Sequence, residues 1–180
     1  MREIYRQLIH MVFGSITAFS ILYFGKKVIY PLFILTLAGI FLHFYLRKHY
    51  APIISDLLRL CGRENEYGKG AVLFAVGVLI AVILVDNINA IFYAILVFSI
   101  SDALATLVGI RGKIKIFGKT LEGFLAFFIS ACIILHSFGI YGVLVAFVGA
   151  FIELISKKIK IDDNLVLPIF LAFILNMINW

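Results

Sequence analysis

Residues 88–110 read INAIFYAILVFSISDALATLVGI, 23 residues with no basic side chain and one acidic one, Asp102. A helix needs about 20 mostly apolar residues to cross the hydrocarbon of a bilayer. Six more apolar runs surround this one. Leu8–Phe24, Val28–Leu46 and Ala71–Val85 precede it; Leu121–Phe138, Ile140–Ile155 and Leu165–Trp180 follow. One such run would suit a buried helix of a water-soluble protein. Seven leave too little polar chain to cover them. In lipid, backbone N–H and C=O groups must be satisfied within the segment, so helices are the expected element. No ten-residue alternation marks a barrel. The expectation is an all-α polytopic membrane protein with about seven transmembrane helices, forming a single domain over residues 1–180.

Composition agrees. Hydrophobic residues make up 63% of the chain and charged residues 14%, against about 45–50% and about 25% in soluble domains. This excludes an ordinary soluble globule, a disordered chain and a collagen-like fibre. Two cysteines, Cys61 and Cys132, are too few for a disulfide framework, a zinc ribbon or an iron–sulfur cluster. The net charge of +6 points to membrane orientation and anionic partners, with no nucleic acid. Leu8–Phe24 has no small-residue cleavage site after it, so it reads as a retained helix. In the polar stretch Ala51–Lys69, Ile53, Ile54, Leu57, Leu58 and Leu60 predict a short helix on the membrane surface.

With seven spans, 14 of the 16 Lys and Arg residues fall on the side of the N-terminus, Arg63 among them. Only Lys26 and Lys27 lie opposite. Basic residues favour the cytoplasmic side. The N-terminus is therefore expected in the cytoplasm and Trp180 near the far interface, in the cell membrane if the source is prokaryotic.

A charge inside an apolar helix is expensive and marks function by default. Asp102 lies nine residues before Arg111, roughly 13 Å of helix below the basic loop at about 1.5 Å per residue. It shares a helical face with Ser99, Thr106 and Gly109. Glu153 ends a face of small residues (Gly142, Ala146, Gly149, Ala150) that allows close approach of a helix or ligand. Gly118-Lys119-Thr120, in the basic loop before the fifth span, reads as a phosphate cradle at a helix N-terminus. It is not a Walker A loop, since five residues separate Gly112 from Gly118. Asp162-Asp163-Asn164 offers three oxygen-bearing side chains suited to Mg2+. Arg6 and His10, four apart, are placed to hold phosphate or move a proton. Glu66 and Lys69 join the polar rim. All approach one face, where a nucleotide phosphate with Mg2+ can meet a lipid headgroup.

Five motifs carry a family resemblance: Arg6-Gln-Leu-Ile-His10, Glu66-Tyr-Gly-Lys-Gly70, Ser101-Asp-Ala-Leu-Ala-Thr-Leu-Val-Gly109, Gly118-Lys-Thr-Leu-Glu-Gly123, and Glu153 with Asp162-Asp-Asn164 and Pro168. Over nearly its whole length the chain resembles the CTP-dependent lipid kinases, which include dolichol (polyprenol) kinase, phytol kinase and the fungal-type diacylglycerol kinase. The family's usual Arg-Lys pair is Arg6-Gln7 here. The resemblance implies Mg2+-dependent transfer of the CTP γ-phosphate to an isoprenoid alcohol or diacylglycerol among the membrane lipids. It places Asp102, Lys119 and Glu153 in catalysis. Arg6, His10, Glu66, Lys69, Thr106, Gly109, Gly118, Thr120, Glu122 and Gly123 would bind nucleotide or substrate. Asp102, Glu153, Asp162, Asp163 and Asn164 would hold the metal.

Three other readings share these residues: a CTP-dependent cytidylyltransferase acting on a lipid phosphate, a small transporter with Asp102 and Glu153 as a cation relay, and a structural membrane subunit. Against transport, no inverted repeat with paired broken helices is visible.

Overall fold

The computed structural model describes residues 2–61 and 66–178; Arg63 and Trp180 of the orientation reading lie outside the described residues. Nine α-helices are found among these residues: α1 (Arg2–Phe24), α2 (Ile29–Leu46), α3 (Ile54–Cys61), α4 (Lys69–Leu84), α5 (Ile88–Val97), α6 (Ala103–Gly109), α7 (Leu121–Ile134), α8 (Gly139–Ser156) and α9 (Asp163–Met177). A π-helical turn, Phe98–Asp102, joins α5 to α6 in one rod. Among the described residues each of the seven apolar runs is mainly one helical rod, the run Leu121–Phe138 ending in a separate 3-10 turn, His136–Phe138, and α3 occupies the polar stretch.

Among the described residues, three helical stretches are long and apolar enough to cross a membrane: Arg2–Leu46, with its internal turn, Ile88–Gly109 and His136–Ser156. Lys69–Leu84, Leu121–Ile134 and Asp163–Met177 are apolar but shorter. Large side chains face outward over the surface, among them Phe13, Phe33, Ile34, Leu35, Phe41, Ile133 and Ile140. So much exposed apolar surface is foreign to a monomer in water.

The rods run alternately up and down. Gly25 takes φ +57° where α1 turns into α2. At that end Lys26 pairs with Asp86. Asn87 caps α5 there, its side-chain oxygen accepting from the N–H groups of Asn89 and Ala90. The N-termini of α1, α4, α7 and α9 and the C-termini of α6 and α8 gather at the other end.

The core centres on the α5 rod. Ile91, Ile95 and Phe98 are fully buried, with Val78 and Val82 of α4, Phe127 of α7 and Leu167 and Leu171 of α9 around them. Alpha1 packs on α5, α9 on α4 and α5, and α7 on α6 and α8. Glycine permits the closest approaches. A Cβ on Gly77 would lie 2.8 Å from the Leu165 carbonyl oxygen, and one on Gly14 would lie 1.9 Å from Ser99 Oγ.

A small hairpin departs from the all-α expectation. Strands β1 (Lys115–Ile116) and β2 (Lys119–Thr120) pair antiparallel, with Lys115 opposite Thr120 and Ile116 opposite Lys119. Phe117 and Gly118 form the turn with φ of +51° and +84°. Two successive positive values are the signature of a type I′ turn, whose twist matches that of paired strands.

Candidate functional site

The hairpin delivers Lys119 to the converging helix ends. Lys119 Nζ donates to Glu153 Oε1 at 2.6 Å and to Asp163 Oδ2 at 2.8 Å. Glu153 closes the buried small-residue face of α8, which the structure reproduces with Gly142, Ala146, Gly149 and Ala150. Ser156, the last residue of α8, donates to Asp163 Oδ2 at 3.3 Å and to the Glu153 carbonyl at 2.8 Å. Asp102 arrives from the π turn and is buried. One carboxylate oxygen each from Asp102, Glu153 and Asp163 lies within 4.8 Å of the others. Insertions of this kind within α-helices recur at functional positions because they redirect a side chain.

Burial works against the charge on Lys119, but Asp163, Glu153 and Asp102 outweigh it and raise the lysine's pKa above its ordinary value. The ammonium is therefore held protonated, as a single cation among three carboxylates.

The neighbours of this cluster sort into liners and supports. One cavity of about 1050 Å³ is lined by Arg6, His10, Glu66, Lys69, Asp102, Thr106, Gly109, Gly118, Lys119, Thr120, Gly123, Glu153, Asp162, Asp163 and Asn164. Glu122 is not among the lining residues. Its carboxylate accepts from the Lys113 N–H at 2.8 Å and the Ile114 N–H at 3.3 Å, pinning the basic loop over the start of α7. Thr120 caps α7, its Oγ1 accepting from the Gly123 N–H at 3.2 Å. The Leu121 N–H donates to the Ile114 carbonyl. Two of the N–H groups expected to face a phosphate are thus already engaged, and the cations of the hairpin remain as the anion-facing groups.

Asp162, Asp163 and Asn164 do not act as one set. Asp162 caps α9, accepting from the backbone and side-chain N–H groups of Asn164 at 3.2 and 2.9 Å; Asp163 alone turns into the carboxylate cluster. Arg6 pairs with Glu3 and lies 4.0 Å from Glu66, while Gln7 donates to Glu3 at 3.1 Å. Asp102 is reached through a cleft walled by α1, α2 and α4 as well as the later helices, wider than one confined to the fourth to sixth spans. Lys115 and Lys157 also line it, and Lys157 Nζ donates to the Gly118 carbonyl at 3.4 Å. From the sequence Lys157 counts only as an orientation charge four residues after Glu153, a spacing that places it on the same helical face.

The chain is 60% identical to the uncharacterized protein MJ1137 of Methanocaldococcus jannaschii over 179 residues, covering 98% of this chain and 94% of that one. This chain belongs to that protein's family. It is also 30% identical over 135 residues to the uncharacterized protein RP860 of Rickettsia prowazekii, covering 69% of this chain and 66% of that one. No family model and no solved structure matches.

Chemically, three converging carboxylates are hard oxygen donors suited to Mg2+ or Mn2+. Asp102, Glu153 and Asp163 fit such an ion, with Lys119 as the internal cation that now balances them. The cationic hairpin beside them suits a polyphosphate.

Proposed function

We propose that this protein is a CTP-dependent kinase of membrane lipid alcohols, crossing the membrane seven times with its N-terminus and site on the cytoplasmic side. The observation that carries this reading is a single cavity joining a carboxylate–lysine cluster to the apolar walls of membrane-competent helices. The alternation of rod directions and the 14-to-2 division of basic residues support seven crossings. The choice of CTP rests on the motif resemblance.

Phosphoryl transfer needs positioning and charge neutralisation more than covalent help. Lys119, Lys115 and Lys157 face the triphosphate from the hairpin side. Glu153 and Asp163 would hold Mg2+, which when bound neutralises phosphate charge. Asp102 accepts the proton of the lipid hydroxyl as its oxygen bonds to the γ-phosphorus and the bond to the bridging oxygen breaks, releasing CDP. Thr120 and Glu122 hold the hairpin and loop in register for this. The test is purified protein with labelled CTP or ATP, Mg2+ and a panel of polyprenol, phytol-like alcohols, diacylglycerol and phosphatidate. Lipid monophosphate with CDP is the expected product. Pyrophosphate release would replace this reading with cytidylyl transfer, and no turnover of any lipid would refute it.

A further inference from the structure

The cavity does not end at the charged cluster. It continues along Ile9, Phe13 and Thr17 of α1, Leu32 and Leu35 of α2, and Phe74 and Val78 of α4. Alpha1 packs on α5 and α6 while α2 packs on α4, and the 25–28 turn joins the two. Between them lies a bay. Phe13 and Leu35 line it and are each 64% exposed, so it opens on the flank of the bundle, on the surface that faces lipid in a membrane.

We propose that this bay is a lateral port for a membrane lipid with an uncharged hydroxyl head. Its hydrocarbon lies against Phe13, Leu32, Leu35, Phe74 and Val78, and the hydroxyl reaches Asp102. The inference rests on the lipid-alcohol reading above and specifies how that substrate enters and which head it carries.

Three observations support the occupant. The bay is continuous with an ionic cluster, so its ligand is polar at one end; a helix from a second protein would leave that end unfilled. The apolar section is walled by large side chains of helices apolar enough to cross a membrane, which suits hydrocarbon drawn from the bilayer. The charges are also divided. Lys115, Lys119 and Lys157 approach from the hairpin and the end of α8, and Arg6 is paired with Glu3 and Glu66. Beside the apolar section the lining carries the Asp102 carboxylate, Lys69 at the start of α4 and the His10 ring, which packs edge-on against Phe74 and Phe98 at 5.3 and 5.0 Å. A hydroxyl head can donate a hydrogen bond to Asp102, which a fully ionised phosphate or carboxylate head cannot do.

The test needs no nucleotide. In a Trp180→Phe background, Leu35→Trp on α2 places a fluorescent reporter in the bay, and Phe147→Trp on the outer side of α8 reports the bulk lipid. Both original side chains are at least half exposed, so neither change disturbs the core. Phe13→Trp provides a second bay reporter. In nanodiscs, a dibrominated long-chain alcohol is expected to quench the bay reporters saturably. The quenching should be lost on adding unbrominated alcohol and retained on adding the matching alkyl phosphate. Quenching at Phe147→Trp should rise linearly without saturation. Linear quenching at all three positions would overturn the port, and displacement by alkyl phosphate as readily as by alcohol would overturn the neutral head. Saturable binding without turnover would refute the kinase and leave the port standing, while turnover with linear quenching would do the reverse.

Discussion

Lys119 Nζ sits 2.6 Å from Glu153 Oε1, joining residues 34 positions apart in the chain. With Asp163 and Asp102 beside them, the ammonium occupies the place where three carboxylates would otherwise repel one another. Lys119 and a divalent cation therefore draw on the same oxygen atoms.

Replacing Lys119 with Met should strip that compensation. Breaking a buried ion pair by removing one partner costs about 3–5 kcal/mol, so Lys119→Met is expected to melt well below the parent protein in chelator. Mn2+ should restore much of the loss and bind the variant more tightly than the parent without nucleotide, read by electron paramagnetic resonance. Equal Mn2+ affinity in the two proteins would show that lysine and metal do not share ligands.

The pH dependence of that stabilisation follows from the raised pKa of Lys119. A group whose folded pKa exceeds its unfolded value contributes stability fully below the unfolded pKa, and the contribution fades as pH climbs through the folded one. The unfolded value is the ordinary 10.5 of lysine. The melting-temperature difference between the parent and Lys119→Met in chelator should therefore not erode through alkaline titration of this lysine until pH rises beyond 10.5. Shrinkage centred between pH 7 and 9 would contradict the placement of this charge.

Asp102→Asn keeps the shape of the side chain and removes its ability to take a proton. General-base assistance typically contributes about 100- to 10,000-fold, and kcat should fall within or beyond that range with the melting temperature preserved or raised. Retention of full activity would remove Asp102 from the chemistry.

Gly14 and Ser99 provide a packing test of the π turn. A Cβ on Gly14 would lie 1.9 Å from Ser99 Oγ and 2.5 Å from Ser99 Cβ. Overpacking of this kind costs about 1–3 kcal/mol, so Gly14→Ala should destabilise the protein and depress turnover by displacing the segment that carries Asp102. Adding Ser99→Gly removes both clashing atoms and should recover part of each loss. No recovery in the double variant would separate this contact from the site.

Much of the helical layout is legible because membrane-grade apolarity overwhelms local ambiguity: a run such as 88–110 has few alternatives to a helix. Asp102 and Glu153 stand out because a carboxylate in such a run has no cheap solvation. Their meeting with Lys119 is not legible, since the partners are distant in sequence and no local period links them. Asp162 and Asp163 show the opposite difficulty. They are adjacent and alike in type, yet one caps a helix and the other faces the cluster, a division set by the backbone angle at the start of α9. Phe117-Gly118 hides its hairpin because its flanking strands are two residues each, too short for alternation to register. Glu122 matches a motif, but its oxygens go to the loop backbone. The bay between α1 and α2 depends on how two rods diverge, which no composition records.

The π turn at Phe98–Asp102 amounts to one residue more than a regular helix needs. Deleting Ile100 would remove the extra residue and let the rod run on as a regular α-helix, α5 and α6 keeping their packing. Asp102 would then lose the widened turn that presents it to Glu153 and Asp163. Whether a third carboxylate joins that pair is, at this point of the chain, a matter of a single codon.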